Sequence, residues 1–478
     1  MAVFLIGAGP GDPMLLTRRA YELVKKADVI IHDRLIDQRV LQEVKQSCIL
    51  VDVGKKPGGD HFQEEINNLL IKYGSKYDTV VRLKGGDPLV FARINEEVKA
   101  LFEAKITYRI VPGITSALAS SLACGVPLTY RGLTRAFKVL TTRSVSPLEQ
   151  QVIDDLNSTL IFLMGAETKS DIVNYLYKIG ATDSDEIAVV HWATAFWQDV
   201  VFAKLKDLHE LKVLPPAAIL FSKSADFKFL PCNGPFAGKK IFITRSFADA
   251  NELEEILWRN GADCYCTSTT TIKILIPENI EFSNFIKENN IDFILFSSAK
   301  AVKIFFTHLK DVRELKNVKF CAFGQKTKDA LLFYGINPEF FFTGSSSKGV
   351  AKQIVQLAQP AKVLYPRSVK SVGYIESEFA DIGQKPLVID LYDTVPKEFS
   401  QEERKALLSA DVVVCYAPSQ AIALSGFVDE IADKYFVAIG DTTKKALKDL
   451  GLRNIKRSQA PDTQSVYQAV LAVTKLIS

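Results

Sequence analysis

Two short blocks in the first quarter of the chain place glycine, proline and aspartate at spacings suited to ligand binding. They are Gly7-Ala8-Gly9-Pro10-Gly11-Asp12-Pro13 and Arg82-Leu83-Lys84-Gly85-Gly86-Asp87-Pro88. Each follows an apolar run, Val3 to Ile6 and Val80-Val81, and then breaks into glycine, where backbone can approach a small polar ligand closely. The first block invites a dinucleotide reading, but Pro10 sits inside the glycine spacing. Asp12-Pro13 also stands where a phosphate-cradling helix start would offer free N–H groups. Proline lacks that donor and aspartate repels a pyrophosphate, so a different small polar ligand or a plain glycine-rich turn is the better reading. Basic residues cluster near such turns: Arg34, Lys55, Lys56, Arg82, Lys84, Arg93, Arg131, Arg135 and Arg143. Some can grip a polycarboxylate bidentately, while ordinary solvated surface charge accounts for most of them.

The elements that must hold these blocks follow from the rest of the chain. At 478 residues it exceeds one hydrophobic core, so two or three domains are expected. Apolar strand-like runs alternate with helical stretches, which predicts an α/β architecture with mostly parallel sheets. The pattern lapses from Ser222 to Lys240, where Pro231, Gly234, Pro235 and Gly238 predict a linker. The second half then repeats itself. Ile291 to Val302 with Val318 to Ile336 recurs as Ala410 to Ile422 with Tyr435 to Leu452, including a G-x-x-T-x-x-A-L echo at Gly324 and Gly440. Two similar lobes facing a cleft are expected.

Composition narrows the function. A net charge of +4 with no basic run interleaved with aromatics argues against nucleic acid. No apolar run approaches the ~20 residues of a membrane span, and the first residues lack the pattern of a signal peptide, so no membrane partner and a cytoplasmic location are expected. Among seven scattered cysteines only Cys264 and Cys266 are close, a poor metal signal; buried thiols and no metal are expected.

Further blocks follow in order: ADVIIHDRLID from Ala27, VDVGKKPGG from Val51, VPGITSALA from Val111, GVPLTYRGL from Gly125 and FLMGAE from Phe162. With the two glycine blocks, they make the first half resemble the tetrapyrrole methylases, enzymes that use S-adenosylmethionine, and among them the uroporphyrinogen-III C-methyltransferases. In the second half KIFITRS from Lys240, VLYPRS from Val363 and LYDTVP from Leu391 resemble the uroporphyrinogen-III synthases. The resemblances imply a two-lobed methylase fold over 1–225, a linker over 226–238, and a two-lobed parallel α/β synthase fold over 239–478. One synthase lobe would combine about 239–271 with 395–478, and the other would span 272–394.

The methylase resemblance implies roles residue by residue. Asp33, in the His32-Asp33-Arg34 turn, matches the proton acceptor, with Arg34 beside it to keep it ionised or grip substrate; capping of the next helix is the alternative for Asp33. Lys55 matches the proton donor. Pro10, Gly85, Gly86, Asp87, Val90, Thr115, Ser116, Met164 and Ala193 match the methyl-donor site, where Asp87 would accept from hydroxyl or amino groups and Met164 with Ala193 would line an apolar slot. Two stretches depart from the family, Ala92 to Glu97 and His191-Trp192.

The synthase resemblance implies Tyr392 near a leaving hydroxyl, and carboxylate contacts at Ser297, Ser298, Thr327, Ser419 and Thr443, for each of which ordinary helix capping is the alternative. Together the halves imply a bifunctional enzyme that cyclises hydroxymethylbilane to uroporphyrinogen III and methylates it twice to precorrin-2. Its partners would be small tetrapyrroles and a second copy bound through the methylase half. The alternatives are a non-catalytic tetrapyrrole-binding second half, or a methylase of another tetrapyrrole.

Overall fold

The computed structural model describes residues 1–45, 47–54, 61–141, 156–229, 232–276, 281–342, 362–371 and 374–477. The first sheet contains β1 (Ala2–Gly7), β2 (Val29–His32), β3 (Ile49–Asp52), β4 (Thr79–Lys84) and β5 (Tyr108–Val111), in the order β3-β2-β4-β1-β5. All its pairs are parallel. The three inner strands are buried almost end to end, as expected where helices cover both faces. Those helices include Arg18–Lys26, whose first turn is capped by Thr17 accepting from the Ala20 N–H, and Ile94–Glu103.

The second sheet departs from the expected parallel pattern. It orders β6 (Ala136–Thr141), β7 (Ser158–Leu163), β8 (Glu186–His191), β9 (Asp199–Lys204) and β10 (Ala217–Phe221) as β6-β7-β10-β8-β9. Only β6 and β7 pair in parallel. For one of its antiparallel pairs the reason is loop length: β8 and β9 are joined by the short loop from Trp192 to Gln198, far too short for the helical crossover a parallel pair needs.

The second half carries two sheets. One orders β11 (Lys240–Ile243), β12 (Asp263–Cys266), β19 (Val412–Cys415), β20 (Tyr435–Ala438) and β21 (Ile455–Arg457) as β12-β11-β19-β20-β21. The other orders β13 (Thr270–Ile274), β14 (Phe293–Phe296), β15 (Lys319–Phe323), β16 (Phe340–Phe342), β17 (Val363–Ser368) and β18 (Leu387–Pro396) as β13-β18-β17-β14-β15-β16. Its one antiparallel pair, β13 with β18, carries the chain between lobes, and Ile272 lies opposite Thr394. The internal repeat is now visible: β14, β15 and β16 are parallel neighbours joined through helices Ala299–Thr307 and Gln325–Phe333, as β19, β20 and β21 are through Pro418–Ile422 and Asp441–Asp449.

The stretch read as a linker is docked at both ends. The Phe229 N–H donates to the Gly125 carbonyl, and Phe236 is fully buried in the core of the lobe built on β11. Gly234 serves close packing, since a Cβ there would lie 2.1 Å from the Asn260 carbonyl oxygen, whereas Gly238 has open space around it and a left-handed φ. The two halves also share a core, in which Ala195, Phe196 and Trp197 pack with Phe242, Tyr265 and Leu407.

Candidate active site

Three loops at the carboxyl ends of β1, β4 and β5 meet through bare backbone. A Cβ on Gly7 would lie 2.5 Å from the Gly86 carbonyl oxygen, and one on Gly113 only 2.3 Å from the same atom. Gly9 and Gly86, both with left-handed φ, exchange backbone hydrogen bonds. Asp87 braces the junction: one carboxylate oxygen accepts from the Leu89 N–H at 2.8 Å and the other from the Gly113 N–H at 2.9 Å. Both oxygens therefore serve the loops themselves, where the sequence suggested a direct grip on a ligand. Gly85 is different, since a Cβ there would meet nothing within 4 Å. It leaves a stretch of backbone open to a ligand.

Asp33 stands at the foot of that opening. Its Oδ2 accepts from the Gly85 N–H at 3.3 Å and its Oδ1 from the Arg82 guanidinium at 2.5 Å. Arg82 is fully buried, and its other face bonds the buried Glu97, which also accepts from Lys84 at 2.6 Å. Burial opposes the Arg82 charge, but Asp33 and Glu97 outweigh it and hold its pKa above the ordinary value. Burial, helped by Arg82, lowers that of Lys84 against the pull of Glu97.

The carboxylate is thus partnered by Arg82 rather than by Arg34, which is exposed with its Cβ close to Gly54. Nor does Asp33 cap the next helix, because Asp37 does so by accepting from the Arg39 N–H. Lys55 lies outside the described residues. Glu97 was missed from the sequence although a signal was present: it sits on the apolar stripe of Ile94, Val98 and Leu101, where a solvated glutamate does not belong.

The opposite wall comes from the second sheet's lobe. A Cβ on Gly11 would lie 2.8 Å from the Ala195 nitrogen, and the Asp12 N–H donates to the Thr194 hydroxyl, so the first glycine block leans on the loop after β8. Ala193 is buried in that lobe's core with Leu163 and Ala117, and Val90 packs against the same cluster. Met164 is exposed, with left-handed φ at the end of β7. Thr115 caps the helix Ser116–Cys124 by accepting from the Ala117 N–H, and Ser116 opens it. Pro10 is partly exposed between Gly9 and Gly11. An open glycine backbone, a half-exposed carboxylate and a polarizable side chain fit a compact sulfonium nucleoside such as S-adenosylmethionine.

In the second half, the Tyr392 hydroxyl is 2.9 Å from the Ser298 hydroxyl, and the Tyr365 hydroxyl is 2.8 Å from that of Ser297. Ser298 also caps the helix Ala299–Thr307 by accepting from the Lys300 N–H. Tyr392 is almost wholly buried in its lobe's core, and the two serines are half-buried. Ser419 is half-buried in the first turn of Pro418–Ile422 in the other lobe. Thr327 and Thr443 have buried side chains, beside the equally buried Leu331 and Leu447 of the same echo. The G-x-x-T-x-x-A-L pattern therefore puts a threonine and a leucine on the buried face of each of the two helices.

A cavity of about 460 Å³ lies elsewhere, at the junction of the halves. Asp12, Met14 and Arg39 line it from one side and Phe247, Glu254 and Trp258 from the other. Around it Arg39, held bidentately by Asp37, stacks on the Tyr265 ring at 4.5 Å and donates to the Cys264 carbonyl. Among the described residues no helix is long and apolar enough to cross a membrane, and no three His, Cys, Asp or Glu side chains are grouped to hold a metal ion.

Two parallel-dominated α/β halves, one with a glycine-walled cleft and the other with two repeated lobes, define a methylase joined to a synthase. Residues 2–209 match the family model of tetrapyrrole (corrin/porphyrin) methylases and residues 251–468 that of uroporphyrinogen-III synthase HemD. The porphyrin biosynthesis protein HemD of Ruminiclostridium josui is 30% identical, over 95% of this chain and 94% of that one. A uroporphyrinogen-III C-methyltransferase of Bacillus subtilis (strain 168) is 33% identical, over 69% of this chain and 71% of its own length. Among solved structures, uroporphyrin-III C-methyl transferase from Thermus thermophilus, complexed with S-adenyl homocysteine, is 36% identical. That match covers 50% of this chain and 96% of that one, with a TM-score of 0.40. The chain therefore belongs to the tetrapyrrole methylases in its first half and to the uroporphyrinogen-III synthases in its second, both of them enzyme families.

Proposed function

We propose that the second half closes hydroxymethylbilane to uroporphyrinogen III and that the first half methylates this product twice to precorrin-2. The observation that carries the methylase reading is Asp33, held by Arg82 and bonded to the N–H of Gly85, the residue open to the cleft. Bound there, S-adenosylmethionine would supply an electrophilic methyl carbon. The chain's own work is positioning and proton removal. The backbone at Gly85 and Gly86, with Met164 and Ala193 opposite, orients the donor, and the Asp33 carboxylate takes the proton that the methylated pyrrole must lose. Arg82 holds that carboxylate aimed at the opening. Lys55 is assigned as proton donor by resemblance alone.

In the second half, the linear substrate loses its terminal hydroxyl as water before the ring closes. The paired Tyr392 and Ser298 hydroxyls can donate to that leaving oxygen, and enclosure between the lobes excludes bulk water. The working division is 1–225 for methylation and 239–478 for cyclisation.

Full-length protein given hydroxymethylbilane and methyl-labelled S-adenosylmethionine should yield a type III macrocycle carrying two labels. Unlabelled type III product would remove the methylase assignment. Spontaneous type I product alone would reduce the second half to a binding module, and label on only a different tetrapyrrole would change the substrate.

A further inference from the structure

The loop Trp192–Gln198 faces two ways. On one side Ala193 and Ala195 press against Gly11 of the first glycine block, with no space for a Cβ between them. On the other side Phe196 and Trp197 are buried in the core of the synthase lobe built on β11. Their partners there are aromatic: Phe196 and Trp197 lie 5.6 and 6.2 Å from the Tyr265 ring, which stacks on Phe242. Lys405 covers the rings of Trp192 and Trp197, and Lys240 donates to the Gln198 carbonyl.

The loop is also held in a conformation it would not choose alone. Trp192 and Thr194, flanking Ala193, both have left-handed φ, which bulky and β-branched side chains rarely adopt. Thr194 is fixed from both sides, its N–H donating to the Gln198 side chain and its hydroxyl accepting from the Asp12 N–H. Beyond these bonds, the loop is tied to the other half of the molecule by the burial of Phe196 and Trp197 there. A short, strained loop with one end in a ligand wall and the other in a foreign core is a mechanical link.

We propose that this loop couples the halves: the synthase lobe holds the wall of the methyl-donor site in its binding shape, with Trp197 and Tyr265 as positioning residues. This rests on the donor-site reading given above. Coupling of this kind is reciprocal, so a donor-site ligand must in turn stabilise the synthase lobe.

The test uses the full chain and S-adenosylhomocysteine. In the unmodified protein, hydrogen exchange with saturating ligand should show added protection in the first glycine block and also in Asp263–Cys266 and Gln401–Ser409. In calorimetry, Trp197→Ala and Tyr265→Leu should each weaken binding roughly tenfold, within the usual range of coupling between sites. Val470→Ala, in the same lobe but away from the loop, should lower the melting temperature without changing affinity. Binding with protection confined to the methylase half, or equal affinity loss in all three variants, would overturn the coupling alone. No binding to the unmodified protein would overturn the donor site as well.

Discussion

At the scale of single residues, the proposed methylase chemistry rests on four linked charges: Asp33, Arg82, Glu97 and Lys84. Asp33→Asn keeps the volume and an oxygen able to accept from Arg82, but removes the negative charge and with it the base. Single-turnover methylation of supplied uroporphyrinogen III should slow by about a hundredfold to ten-thousandfold, with S-adenosylhomocysteine affinity unchanged. Glu97→Gln acts differently, because it leaves Arg82 and Lys84 buried with one carboxylate between them. Breaking a buried pair in this way should cost about 3–5 kcal/mol of stability, read as a lower urea midpoint. Tyr392→Phe should slow type III formation while costing only about 1 kcal/mol, since one buried hydroxyl pair is lost and Ser298 still caps its helix. A stability loss as large as the rate loss would make that hydroxyl structural. Asp33 was legible in its motif, but its partner was not. Arg82 reaches it only because β4 lies beside β2, and adjacency of strands separated by another strand and a helix is not written in local spacing.

At the scale of elements, the glycine blocks work as a backbone junction more than as a set of ligand contacts. Gly113→Ala would push a methyl group to 2.3 Å from the Gly86 carbonyl oxygen, and backbone on both sides cannot move away. We expect this variant to fold with separated loops and to lose S-adenosylhomocysteine binding by calorimetry, while ring closure in the second half continues. Retained affinity would show that the site tolerates an open junction. Most of the sheets were readable from alternating apolar runs and helices. The second sheet misled because β8, with Ile187 to Val190 all buried, carries the continuous apolar run usual for a parallel strand. Only the length of the connection distinguishes the two cases. The G-x-x-T-x-x-A-L echo leaves two readings open, because a threonine and a leucine one helical turn apart suit a buried helix face as well as they suit a ligand turn.

At the scale of the whole molecule, the junction between the halves should respond to pH. Burial pushes Glu254 up to about 7, with Asp12 and Glu255 adding and Arg39 opposing. Burial also pushes Glu402 up to about 7, with Asp37 and Glu403 adding, while the Gln38 N–H and Arg39 oppose. Unfolding returns both to the ordinary 4.5, so the unfolded chain gives up its protons first as pH rises. Their contribution to stability is therefore greatest below about pH 4.5, falls between pH 4.5 and about 7, and is level above that. The double variant Glu254→Gln with Glu402→Gln should flatten the melting-temperature profile across that window and melt higher than the parent at pH 8. An unchanged profile would place the titration elsewhere.

The docked stretch around Phe229 and Phe236, and the core shared through Trp197, bear on how such a gene can be taken apart. A protein engineer who cuts at the inviting prolines and glycines obtains two fragments that each carry a raw aromatic scar, Trp197 on one and Tyr265 on the other. Each fragment would need resurfacing there before it stays in solution, and a natural lineage that split the two enzymes would have had to make the same repairs. Fission here is harder than fusion.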